Sequence, residues 1–214
     1  CKTTAILDSN AIISNTATLS TALEVRGWGG GVWTGDRASV SFNNDLIAGN
    51  DAKTQGGGLW FGVENEGYND RGSRLQHVTI VDNTGEYFGQ GLYVTQTLAS
   101  LTNTIIAGHD IGVYAASGGR ATLESTLWYD NSRNTAGSHV ETGTDYDGDP
   151  QFVDPEDWDY HIGDESAALD RGVATGVRSD MDSERRPWLE PDLGADEFWP
   201  VSISIRAYLP LILR

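Results

Sequence analysis

The sequence predicts an all-β chain wound as a parallel β-helix, a solenoid of short strands stacked tier on tier. Three observations carry that expectation. Two short patterns recur at a nearly fixed offset along residues 1–140. The segments between them alternate apolar and polar residues. Glycine supplies 26 of the 214 residues, well above a usual share of about 7%, and points to many turns.

The first pattern is glycine followed by apolar or aromatic residues: Gly31-Val32-Trp33, Gly58-Leu59-Trp60, Gly91-Leu92-Tyr93 and Gly112-Val113-Tyr114. The second is a short apolar run closed two residues later by Asn or His: Ile12-Ile13-Ser14-Asn15, Ile47-Ala48-Gly49-Asn50, Ile80-Val81-Asp82-Asn83, Ile106-Ala107-Gly108-His109 and Trp128-Tyr129-Asp130-Asn131. Val32 to Asn50, Leu92 to His109 and Val113 to Asn131 span 18, 17 and 18 residues, whereas Leu59 to Asn83 spans 24. The excess falls in the polar stretch 63–72, read as a loop insertion. Two patterns repeating together every 21–33 residues are what a solenoid requires. Between them, Ala38-Ser39-Val40-Ser41-Phe42 and Ala121-Thr122-Leu123-Glu124-Ser125-Thr126-Leu127 alternate with period two, so each reads as a strand with one face inward. No window in 1–140 sustains helical spacing. The corner Asn residues are expected to take left-handed backbone and to hydrogen-bond from tier to tier, with His109 in the same corner role.

Charge divides the chain. Lys and Arg number 14 and Asp and Glu 31, a net charge of −17. Residues 141–198 carry eighteen acids against Arg171, Arg178, Arg185 and Arg186, a net −14, while 1–140 carry −5 and 199–214 carry +2. The expected units are therefore 1–140, the coils; 141–198, an acidic closing module; and 199–214, an apolar tail. Such acidity argues against nucleic acid, since phosphate binding needs clustered Lys and Arg. Seven Trp, eight Tyr and five Phe supply core material and argue against disorder. No run of 18 apolar residues marks a transmembrane helix. The one cysteine, Cys1, allows no internal disulfide. The chain starts without Met, so Cys1 reads either as the lipidated residue of a processed lipoprotein or as a fragment boundary.

With these residues in view, 5–140 resemble a bacterial right-handed parallel β-helix repeat protein of the pectate-lyase-like superfamily. The stretch 145–198 resembles the closing module called a choice-of-anchor Q domain. The matching pieces are Asp149-Pro150-Gln151-Phe152-Val153-Asp154-Pro155, Asp159-Tyr160-His161-Ile162, Ser166-Ala167-Ala168-Leu169-Asp170-Arg171-Gly172, Asp180-Met181-Asp182-Ser183-Glu184-Arg185-Arg186-Pro187 and Asp192-Leu193-Gly194-Ala195-Asp196-Glu197. Ala168 stands where a proline is usual, and Asp164-Glu165 where Pro-Gly is usual. The resemblance implies a secreted or cell-surface bacterial protein whose closing module precedes an attachment tail and brings no catalytic residues.

A catalytic constellation is not visible. Enzymes acting on acidic polysaccharides need either a calcium cluster with an Arg or Lys base, or paired acids of divergent pKa. No two acids recur at equivalent positions between residues 36 and 130, and Arg26, Arg37, Arg71, Arg74 and Arg120 are scattered. The leading expectation is therefore a non-catalytic extracellular structural or attachment protein, self-assembling at the surface or into a filament. The competing one is a carbohydrate-active or carbohydrate-binding β-helix. Trp33, Trp60 and Tyr93 alternate with core-facing Val32, Leu59 and Leu92, so they are expected to form an outward aromatic stripe able to stack on sugar rings; the alternative is packing beneath the 63–72 loop.

For metal, Asp145-x-Asp147-x-Asp149 with Glu156 has calcium-loop spacing, but Pro150 occupies the sixth position and blocks the usual loop path. A looser Ca²⁺ site among Asp145, Asp147, Asp149, Asp154 and Asp159 is expected, with Asp180, Asp182, Asp192 and Asp196 as a second candidate set. Turn capping by Asp side chains is the alternative. In the tail, Val201-Ser202-Ile203-Ser204-Ile205 alternates strictly and continues through Tyr208, Leu209 and Leu211. These residues are expected to pair as a strand, on the chain's own β-helix or on the open end of a neighbouring copy.

Overall fold

The computed structural model describes residues 3–20, 25–35, 38–63, 67 and 69–200. Cys1 and the tail positions Val201, Ile203, Ile205, Tyr208, Leu209 and Leu211 lie outside them. Among the described residues the chain is nearly all β, its one helical turn a 3₁₀ segment at Pro155–Asp157. No described helix is long and apolar enough to cross a membrane.

Three parallel sheets dominate. The ten-stranded sheet has two limbs. One stacks Thr3–Asp8, Ala38–Asn43, Asn69–Gln76, the start of Thr97–Ala107, the start of Arg120–Tyr129, and Val140–Thr142. The other stacks Ala11–Ile13, Leu46–Ala48, Thr79–Val81, the far halves of the same two long strands, and Asp145–Asp147. A five-stranded sheet stacks Val32–Thr34, Leu59–Gly62, Leu92–Thr95, Ile111–Ala115 and Arg133–Gly137. A small sheet stacks Thr16–Ala17, Asp51–Ala52 and Thr84–Gly85.

The limbs meet at a bend where Ser9, Asn44, His77, Asn103 and Ser125 share left-handed φ values of 52–55°. A second column, Ser14, Gly49, Asp82, Gly108 and Asp130, repeats the device after the second limb, with φ from 48° to 72°. Gly, Asn, Asp and Ser adopt this backbone more readily than β-branched residues do. The left-handed residue is thus the one before each repeated Asn or His. The Asn itself is freed for another task.

That task is a ladder. Asn15 Nδ2 donates to Asn50 Oδ1 and Asn50 Nδ2 to Asn83 Oδ1, each at 2.9 Å. His109 Nδ1 donates to Asn131 Oδ1 at 3.1 Å, and its Nε2 faces Asn83 Nδ2 at 3.4 Å. A neutral imidazole offers one donor and one acceptor, as a carboxamide does, so His109 continues the column. The two sequence patterns explain each other here. A Cβ on Gly31 or Gly58 would lie 3.0 Å from the amide nitrogen of Asn50 or Asn83, and 2.8 Å from the carbonyl of the next glycine in the column. Glycine is required where the ladder fills the space.

Two cores result. Inside, Phe42, Leu75, Leu101 and Leu123 line up in register from one limb, and Ile47, Ile80, Ile106 and Trp128 from the other. Leu59, Leu92 and Val113 from the second sheet close against them. Each such side chain contributes about 1.5–3 kcal/mol by leaving water. The second limb is apolar on its outer face too: Leu46, Ala48, Val81, Ile105, Ala107 and Leu127 pack under Tyr160, Ile162, Ala168 and Leu193. Its strands therefore read as continuous apolar runs rather than alternating ones. The antiparallel pair Phe152–Asp154 and Asp159–Ile162, with the loops up to Phe198, forms this outer cover.

Candidate functional site

The outer face of the first limb carries rows of side chains in cross-strand register. One row runs Ser41, Arg74, Ser100 and Thr122. Beside it, Leu98 pairs with Arg120. In the third tier the strand Asn69–Gln76 is irregular: Asn69 pairs with Thr97, but the next partners are Ser73 and Ala99. The extra residues form a bulge, a device that re-aims side chains. It is held by Asn69 Nδ2 donating to Ala38 O at 2.7 Å, Thr97 Oγ1 to Asn69 O at 3.0 Å and Ser39 Oγ to Gly72 O at 2.5 Å. Gly72 has φ +63°, and a Cβ there would meet Leu98 at 2.7 Å.

The bulge brings Arg71 to the same open cavity as Arg74 and Arg120, a groove of about 620 Å³ whose other lining includes Ser39, Ser41, Ser100 and Thr122. Arg120 also meets the exposed Glu141 at 3.3 Å. Three arginines beside rows of hydroxyls bring together the donors by which Arg binds carboxylates and sulfates, through paired, charge-assisted hydrogen bonds. Along the sequence these arginines are scattered. The only signal available was their placement at outward positions of two strands, and the bulge that adds Arg71 is invisible to period-two alternation.

The aromatic stripe is assembled but largely covered. Trp33, Trp60, Tyr93 and Tyr114 stand in register on the five-stranded sheet. Trp60 stacks on Trp33 at 5.8 Å and on Tyr93 at 6.4 Å. Trp33 is 45% exposed, whereas Trp60 and Tyr93 are only 1% and 9% exposed. Trp28 lies over Trp60 at 4.8 Å, nearly parallel. The outward stripe is thus corrected to one exposed ring, Trp33, above buried ones.

The five acids expected to hold calcium are spread out. Asp145 and Asp147 are exposed on the last parallel strand, on either side of Tyr146. Asp149 accepts the Gln151 backbone N–H at 2.8 Å and Nε2 at 2.9 Å. Asp154 and Asp159 face each other across the antiparallel pair. Among the described residues, no three of them come within 4.8 Å of one another. Local turn bonding and strand pairing hold them apart.

A different group does converge. One ligating atom each from His161, Asp182 and Asp196 lies within 4.8 Å of the others. His161 bonds Asp159 through Nδ1 and Asp182 through Nε2, both at 2.5 Å. Burial opposes a charge on the imidazole, but the bonds to Asp159 and Asp182, with Asp196 nearby, outweigh it and raise the ring to about 9. Burial lifts the Asp196 carboxyl to about 6. The second acidic set divides accordingly: Asp180 Oδ1 caps the turn by accepting from Asp182 and Glu184 N–H, and Asp192 accepts from Asp170 and Phe198 N–H.

Beneath them lies a fully enclosed polar knot. Arg186 pairs with Glu197 at 3.2 Å and donates to the carbonyls of Asp192, Gly194 and Ala195. Its Nη1 also donates to His77 Nδ1 at 2.6 Å, so the opposite ring nitrogen carries the proton and bonds Thr175 Oγ1 at 2.9 Å. Burial and then Arg186 push His77 down to about 3. No known protein family, curated protein or solved structure matches this chain.

Proposed function

We propose that the parallel sheets form a right-handed β-helix of the pectate-lyase-like kind, closed by a choice-of-anchor Q type module over 141–198, and that the protein is a non-catalytic attachment module outside the cell. Its adhesive surface is the Arg71–Arg74–Arg120 groove, and its ligand is an extended acidic polysaccharide. The observation that carries this reading is the bulged third tier, which adds a third arginine to a hydroxyl-lined sheet face in a protein of net charge −17. Concentrating positive charge on one face of an acidic chain favours an anionic partner over a neutral one. The described groove lining offers hydroxyls and guanidinium groups, which support binding and orientation of an anionic chain.

The test is binding of polygalacturonate, alginate and a neutral glucan to the whole chain at low and physiological salt. Acidic chains are expected to bind, more weakly as salt rises, and Arg71→Gln combined with Arg74→Gln is expected to weaken binding by about tenfold or more. Equal binding of the neutral glucan, indifference to the arginines, or cleavage of any chain would overturn the reading.

A further inference from the structure

The geometry points to a binding site for one divalent transition-metal ion of the zinc class at His161, Asp182 and Asp196, with Asp159 as the group that holds the imidazole in place. The arrangement has the parts such a site needs. Asp159 takes the Nδ1–H of His161, which leaves Nε2 to face the two carboxylates. A carboxylate behind a ligating histidine fixes its tautomer and orientation and raises its basicity. His161 is 40% exposed on its side chain, so an ion can enter.

A proton serves this cluster poorly. On Nε2 it satisfies Asp182 and leaves Asp196, which is 6% exposed. Asp196 Oδ2 takes the Ile162 N–H at 2.8 Å, and its other oxygen accepts nothing among the described residues. Asp180, fully enclosed in the same turn as Asp182, whose N–H its Oδ1 accepts, adds a buried Oδ2 with no hydrogen-bond partner among the described residues. Two carboxylates beside one imidazole call for more positive charge than a proton supplies, and a divalent ion in place of that proton reaches both Asp182 and Asp196. One imidazole nitrogen with carboxylate oxygens suits Zn²⁺, whereas Ca²⁺ prefers six to eight oxygens. The ion would tie the strand Asp159–Ile162, the turn at 180–184 and the loop ending at Asp196, three segments of the outer cover.

Titration of the EDTA-stripped whole chain with zinc chloride by calorimetry, and with Co²⁺ by visible absorption, tests this. One equivalent of Zn²⁺ is expected, undisplaced by excess Ca²⁺, with a Co²⁺ spectrum that disappears in His161→Gln. Asp182→Asn, at an exposed position that leaves folding intact, is expected to weaken binding by at least tenfold. Asp159→Asn should keep the stoichiometry and weaken affinity roughly ten- to hundredfold. Absence of Zn²⁺ binding overturns the proposal. So does binding that survives both His161→Gln and Asp182→Asn, or that Ca²⁺ displaces at equal concentration.

Discussion

His109 occupies a rung that asparagine fills elsewhere in the column, and it does so only while neutral. Protonation would turn its Nε2 from an acceptor facing Asn83 into a second donor, and burial accordingly lowers it to about 4. The sign of the pH effect follows. An unfolded histidine takes up its proton near pH 6.5, but folded His109 resists until about pH 4. Its contribution to stability is complete above pH 6.5 and falls by about 1.4 kcal/mol per unit as pH drops through that window. His77, held near 3, acts in the same direction. Asp192 acts oppositely: its carboxyl is raised to about 7, so its contribution is lost as pH rises through that value. Comparison with His109→Asn cancels the shared groups. The variant is expected to match wild type within about 1 kcal/mol at pH 8 in urea denaturation. It should then lose less stability than wild type between pH 6.5 and 4. Parallel pH profiles would show that His109 is not the acid-sensitive rung.

At the scale of the element, glycine decides where aromatic rings can lie. Trp33 and Trp60 are each followed two residues later by glycine, and the ring rests on it: a Cβ on Gly35 would fall 2.0 Å from Trp33, and one on Gly62 2.6 Å from Trp60. The alternation of strand residues places the ring over that position, so in these two tiers the Trp-x-Gly spacing makes room for the indole, whereas Tyr93 and Tyr114 have Thr95 and Ala116 at the same offset. Gly62→Ala must displace Trp60, the largest fully buried side chain. It is expected to cost about 1–3 kcal/mol, as overpacking of a filled site does. A melting temperature unchanged from wild type would show that the ring has room to move.

Across the whole molecule, the acidic outer cover combines its apolar contact with the second limb and a buried ion pair in a carbonyl cage. Arg186 and Glu197 are both fully enclosed, and removing one partner strands the other's charge away from water. Glu197→Gln is therefore expected to destabilise the protein by about 3–5 kcal/mol. Glu141→Gln, which breaks the exposed pair with Arg120, should leave stability unchanged within error. Chemical denaturation of the two variants side by side checks the contrast. If both behave alike, the knot does not hold the cover.

The sequence by itself determined the all-β, parallel character and the position of the repeats. These follow from local rules: period-two alternation, glycine where no Cβ fits, and a recurring amide at each corner. Its reading that His109 would act as a corner residue like the asparagines was also available locally, because neutral imidazole and carboxamide share a donor and an acceptor. The left-handed residue was misplaced by one position, since Ser14, Asp82 and Asp130 tolerate that backbone as asparagine does and alternation cannot tell them apart. What only the tertiary structure decided is which distant side chains meet. Arg71, Arg74 and Arg120 come together through stacking register and a bulge, Trp60 is covered by Trp28, and His161 meets Asp182 and Asp196 across three loops. Each of these depends on how tiers are aligned and loops fold back. That alignment is set by the packing of the two cores, and no local spacing in the chain encodes it.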